Sequence, residues 1–213
     1  MDFARGTADY RASPLIAGSN TVKSAIGSFV VASAIAVASL GAGLAAHAAG
    51  VFMLTSSAYK DNAPLKAKSA GQNPENPNCV GQNVSPPLAW ANPPDGTQSY
   101  ALLMFDPEGR GGLGVSHMVT YGIPRSVAGF AEGELTQPSE KYVGGKSTMN
   151  KATYFGPCTP PGDWHHYTFT LIATDLDPKA LQPGLTRDEL FQQLNGHTKG
   201  SAGLIVRFRH PTK

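Results

Sequence analysis

Four side chains able to move a proton or grip an anion stand at the ends of apolar runs in this 213-residue chain. Asp106 closes the run Tyr100–Phe105, His117 opens a run that ends at Pro124, and His165 opens another with Tyr167 two residues on. Two imidazoles, a phenol and the loop amides near Gly156 can all donate hydrogen bonds to an oxyanion. A carboxylate beside an imidazole accepts from it and favours its protonated form, which adds positive charge for the anion. The same three ionisable groups, Asp106, His117 and His165, also suit acid/base work in a hydrolase or a zinc cluster. Against both, no serine or cysteine nucleophile lies in a recognisable motif and no zinc-type spacing is present. The residues therefore point to binding without chemistry, with no metal and no cofactor, and a hydrolase is the lesser alternative.

These groups meet only if the apolar runs are strands. In neighbouring antiparallel strands the end of one and the start of the next share a sheet edge, which brings Asp106 opposite His117. Alternation puts Tyr100, Leu102, Met104 and Asp106 on one face of the first strand, and His117, Val119, Tyr121 and Ile123 on one face of the second. In Trp164–Ala173 it puts His165, Tyr167, Phe169 and Leu171 together and turns His166 to the opposite, solvent-side face.

The remaining elements follow from turn chemistry. Val51–Ser56 reads as an edge strand, and Lys60–Gln82, polar and rich in Asn and Pro, as a surface loop containing Cys79. Pro86-Pro87 forces an extended lead into a short strand at Leu88–Trp90. Pro93–Gly96 is a turn into Ser99–Phe105. From Pro124 to Met149 no pattern places an element, and Gly156–Gly162, with three prolines and two glycines, is loop. Thr186 with Glu189 forms a capping box for a helix carrying Leu190, Phe191 and Leu194, stopped at Asn195-Gly196. Ala202–Phe208 reads as a last strand. With 24 Gly, 17 Pro and one clear helix signal, the chain is mainly β.

The N-terminus reads differently. No charged residue lies between Lys23 and His47, and the Ala-rich run Ile26–Ala46 is followed by Ala46-His47-Ala48, which fits a signal-peptidase site. Residues 1–48 are expected to be a signal peptide and leader and 49–213 the mature domain, exported to a periplasm or secreted. The alternative is membrane anchoring by an uncleaved 24–46 segment, the only membrane association expected. That leader holds three of the 17 basic and two of the 15 acidic residues, leaving 14 against 13. Such a balance gives nucleic acid no electrostatic hold.

Four stretches together, GQNVSPPLAW from Gly81, FDPEG from Phe105, HMVTYGIP from His117 and YFGPCTPPGDWHHY from Tyr154, resemble the phosphatidylethanolamine-binding protein family, in its bacterial Raf-kinase-inhibitor-like branch. The resemblance runs from about Phe52 to Phe208. It implies a Greek-key β-sandwich with a few peripheral helices and a pocket for phosphate, acetate or phosphoryl head groups. Carried onto this chain, the pocket comprises Asp106, Pro107, His117, Gly156, Pro157, His165 and Tyr167, with Glu108 and Arg110 as secondary candidates. Relatives with protease- or kinase-modulating roles supply the alternative of a protein partner docking at the same pocket. The family's acidic turn usually reads Asp-Pro-Asp-x-Pro, whereas Asp106-Pro107-Glu108-Gly109-Arg110 keeps the charge, adds a methylene and lacks the second proline, which loosens the turn. Met118 and Gly122 stand where an aromatic residue and Asn are common. Cys79 and Cys158, the only cysteines, lie in loops beside family motifs of an exported chain and are expected to form a disulfide.

Overall fold

The structure is a computed structural model that describes residues 50–211; the leader expected over 1–48 lies outside them. Nine strands run β1 (Met53–Thr55), β2 (Ala63–Pro64), β3 (Leu88–Ala91), β4 (Ser99–Asp106), β5 (Val115–Pro124), β6 (Gly129–Phe130), β7 (Val143–Gly144), β8 (His165–Thr174) and β9 (Thr198–Phe208). They form a small sheet, β1-β3-β6, and a large one, β2-β9-β8-β4-β5-β7. Within the large sheet the spatial order β8-β4-β5-β7 sets the fourth of these strands beside the first, with every pairing antiparallel, which is a Greek key.

β4 lies at the centre of this sheet and is buried along nearly its whole length, because both of its faces are covered. On one side Tyr100, Leu102 and Met104 meet Leu54, Leu88, Trp90 and Phe130 of the small sheet, forming the core between the two layers. On the other side Ala101, Leu103, Val119 and Tyr121 are covered by Leu190 and Leu194 of the helix Arg187–Leu194. That helix begins at the expected capping box, with the Glu189 amide donating to Thr186 Oγ1 and the Thr186 amide to Glu189 Oε2. A strand dry on both faces must read as a continuous apolar run, as Tyr100–Phe105 does.

Two stretches differ from the sequence reading. Lys60–Gln82 is more than a surface loop: β2 pairs in parallel with β9, the turn Ala67–Ser69 is 3-10 helical, and Leu65 and Ala70 are buried. The polar residues between them concealed single apolar anchors that carry no period. From Pro124 to Met149 the chain supplies β6, a 3-10 turn at Glu134–Thr136 and β7, each too short for alternation to register. Among the described residues no helix is long and apolar enough to cross a membrane.

Candidate functional site

The β4–β5 hairpin brings Asp106 and His117 to one rim, but by a route that strict alternation misses. Met104 pairs with Met118 and Phe105 with Ser116, so His117 is an extra residue on β5. A second extra residue falls between Thr120, opposite Leu102, and Ile123, opposite Tyr100. Each is a β-bulge, where two residues oppose one and the side-chain sequence shifts face. The expected single face of His117, Val119, Tyr121 and Ile123 is therefore corrected: Met118 and Ile123 enter the core between the sheets, while Val119 and Tyr121 lie under the helix. Gly122 at the second bulge has φ +61, and a Cβ there would meet Pro178 O at 2.3 Å.

Asp106, 3% exposed, distributes its carboxylate between two tasks. Oδ1 accepts from the amides of Glu108 and Gly109 at 2.9 and 3.0 Å, which pins the turn that lacks the family's second proline. Oδ2 accepts from His165 Nδ1 at 2.8 Å. The imidazole that bonds Asp106, which the sequence left open between His117 and His165, is thus His165. His117, 5% exposed, donates instead from Nδ1 to Phe155 O at 2.7 Å, and the Phe155 amide returns a bond to His117 O at 3.3 Å. Burial pushes the His117 pKa below its ordinary value, against the opposing influence of the Phe155 carbonyl and the Asp106 charge. The Tyr167 ring stands edge-on to His117 with centroids 5.2 Å apart, and stacks with His165 at 6.4 Å. Its hydroxyl meets Thr159 Oγ1 at 2.7 Å, and burial pushes the phenol pKa well up.

These four side chains and Arg110 line one cleft of about 610 Å³. The disulfide Cys79–Cys158 forms part of its wall, with Cα atoms 4.3 Å apart, and fastens the Gln72–Asn76 side to the Phe155–Pro160 side. Gly156 and Pro157 stand behind that wall. The Gly156 amide donates to Asn83 Oδ1 at 2.8 Å, so it is already engaged and not free for an oxyanion. A Cβ on Gly156 would meet Ser69 O at 2.1 Å, and Pro157 O accepts from Gly71 N, so this pair lets two chain segments cross closely. Pro107 sits in the turn that Asp106 caps and is exposed. His166 lies outside the cleft lining, as alternation implied, and Glu108 goes with it, Oε1 accepting from His166 Nδ1 at 2.8 Å. Burial alone would raise the Glu108 carboxyl, but the bonds from His166 outweigh it and hold the carboxyl below its usual range.

Asp106, Glu108 and His165 each bring a ligand atom within 4.8 Å of the others, a spacing open to a cation. Both carboxylates, however, already accept from an imidazole Nδ1. Three supporting groups were not legible in the sequence. Thr159 holds the Tyr167 hydroxyl, the Phe155 carbonyl holds His117, and Asn83, at φ +58, clamps Tyr154 O and Gly156 N. Backbone partners and single loop residues have no periodicity: Asn83 lay in the GQNVSPPLAW stretch and Phe155 and Thr159 in YFGPCTPPGDWHHY, but those motifs name residues and not the contacts they make.

A family model described as phosphatidylethanolamine-binding protein matches residues 55–209. A UPF0098 protein of Methanothermobacter thermautotrophicus is 34% identical over 146 residues, 65% of this chain and 91% of its own. The candidate lipoprotein LppC of Mycobacterium tuberculosis is 35% identical over 169 residues, 76% of this chain and 75% of its own. The crystal structure of Escherichia coli YbcL, described as a new member of the mammalian PEBP family, superposes with a TM-score of 0.67 at 26% identity, covering 74% of this chain and 98% of YbcL. With a strand order, a rim and a cleft assembled from the same motifs, the chain belongs to the phosphatidylethanolamine-binding protein family.

Proposed function

We propose that this protein binds a small phosphoryl or carboxylate anion, such as a phosphorylated head group, in the cleft between His117 and His165 and leaves it chemically unchanged. One observation carries the reading: both cleft imidazoles are held through Nδ1 by protein acceptors, Phe155 O and Asp106 Oδ2. An acceptor at Nδ1 keeps the proton there, so each ring has Nε2 left to engage a ligand. Protonated at Nε2, an imidazole donates a charge-assisted bond to an oxyanion. Binding rather than turnover is supported by the lining itself, which holds no serine, while the two cysteines are joined and the Thr159 hydroxyl is engaged by Tyr167. The lipoprotein relative points to export or membrane association, in keeping with the leader and the disulfide.

The sign of the pH dependence follows from His117. Burial holds its free-state pKa below about 6.5. A bound anion stabilises the imidazolium and raises that pKa, so binding takes up a proton. Affinity is then highest below the free-state value and falls as pH rises through the interval up to the bound-state value. Calorimetric titration of the full chain with phosphate, O-phosphorylethanolamine, acetate and zinc, from mildly acid to mildly alkaline pH, tests this. His117→Ala and His165→Ala are each expected to weaken phosphate binding by about 1.5–3 kcal/mol, and His117→Ala to flatten its pH profile. His166→Ala, which removes only the partner of Glu108 outside the cleft, is expected to change little. Equal losses for all three, or stoichiometric zinc binding without anion binding, would overturn the reading.

A further inference from the structure

Beside the cleft lies a second, smaller depression of about 260 Å³, lined by Arg110, Lys146 and Arg187 with Ser116 and Thr148. Three cations meet one acidic side chain there, Asp188, which is 85% exposed and 3.3 Å from Arg187. Arg187 is fixed in place by its guanidinium packing over Phe105 at 4.4 Å and Phe191 at 4.6 Å. Arg110 and Lys146 form no ion pair among the described residues, and Arg110 borders both cavities. Its backbone is left-handed, φ 55 and ψ 38, between Gly109 and Gly111. A Cβ-bearing residue in that conformation is strained, and such outliers concentrate at ligand clamps.

We propose that the depression is a second anion subsite and that Arg110, standing between the two cavities, makes the protein select small molecules carrying two anionic groups. One group seats at His117 and His165, the other at Lys146 and Arg187, and the Arg110 guanidinium lies between them. The proposal rests on the anion-binding reading of the cleft. It accounts for an arginine at a position where glycine would be less strained, and for three cations gathered around a single, exposed carboxylate beside a site of the same preference. Two linked charges gain affinity over one because the second binds at the effective concentration set by the linker, and only when the linker spans the gap.

The test is titration of the full chain with α,ω-alkane bisphosphonates of increasing length, each against the alkyl monophosphonate of the same length. One length is expected to bind roughly tenfold or more tighter than its monophosphonate, with shorter members showing no gain. Lys146→Ala should remove that gain and leave monophosphonate affinity unchanged, Lys146→Arg should restore it, and Arg110→Ala should weaken both ligands. A gain of only about twofold at every length, the statistical factor for two identical ends, overturns the subsite. So does a gain that survives Lys146→Ala. Monophosphonate binding with no bisphosphonate advantage removes this proposal alone, whereas failure of both ligands removes the anion reading of the cleft as well.

Discussion

At Asp106 one buried carboxylate serves both turn and site. Its Oδ1 closes the turn through two amides and its Oδ2 holds His165 Nδ1–H. Asp106→Asn keeps an oxygen for the turn but sets an amide NH₂ against the imidazole, donor facing donor. The ring escapes by moving its proton to Nε2 and accepting at Nδ1. Nitrogen-15 NMR of the histidine side chains is therefore expected to show His165 as the Nδ1–H tautomer in the native protein and Nε2–H in the variant. The stability loss should be about 1–3 kcal/mol, the cost of disturbing a buried polar contact. An unchanged tautomer would mean that Asp106 does not orient the ring. The neighbouring pair Glu108–His166 is a contrast of environment. Both side chains are open to solvent on the outer side, so their bond is screened and contributes little.

At the scale of the element, β5 decides whether the site exists. Its ten residues carry two bulges, and each shifts which side chains face inward. The first sets His117 at the rim, and the second returns Ile123 to the core after Val119 and Tyr121 have gone to the helix side. Gly122→Ala probes the second bulge, because a Cβ would be strained at φ +61 and would press on Pro178 O. We expect a loss of about 2 kcal/mol or more, from left-handed strain and overpacking together. An unchanged melting temperature would show that the bulge is not held as described.

For the whole molecule, the disulfide links positions 79 residues apart and joins the two walls of the cleft. In the chain-entropy model, cross-linking that separation stabilises by up to about 4–5 kcal/mol, with 2–4 typical. Cys79→Ser with Cys158→Ser is expected to lower the melting temperature and to weaken anion binding, since the Phe155–Pro160 segment positions both His117 and Tyr167. Alkylation and mass spectrometry of the native protein should find no free thiol. Two alkylatable cysteines would contradict the pairing. The close crossing at Gly156 sits beside the same wall, so its effect is carried by packing rather than by an amide offered to the ligand.

How much of this was legible in the sequence differs by kind of interaction. Strand runs around Tyr100, His117 and His165, the Thr186 capping box and the opposed facing of His165 and His166 are local properties, set by period, turn residues and side-chain reach, and were readable from the chain alone. The four motifs likewise carried the family. What tertiary structure decided was pairing. Whether Asp106 takes His165 or His117 depends on which strand lies on each side of β4, and both do. The bulges arise from strand register, which is a relation between two segments and leaves no mark on either one. That Gly156 serves a crossing, that Phe155 and Thr159 hold the site, and that Arg110 borders two cavities all depend on contacts between residues distant in sequence. Such contacts are set by core packing, which fixes where segments meet and leaves no period in the chain to read.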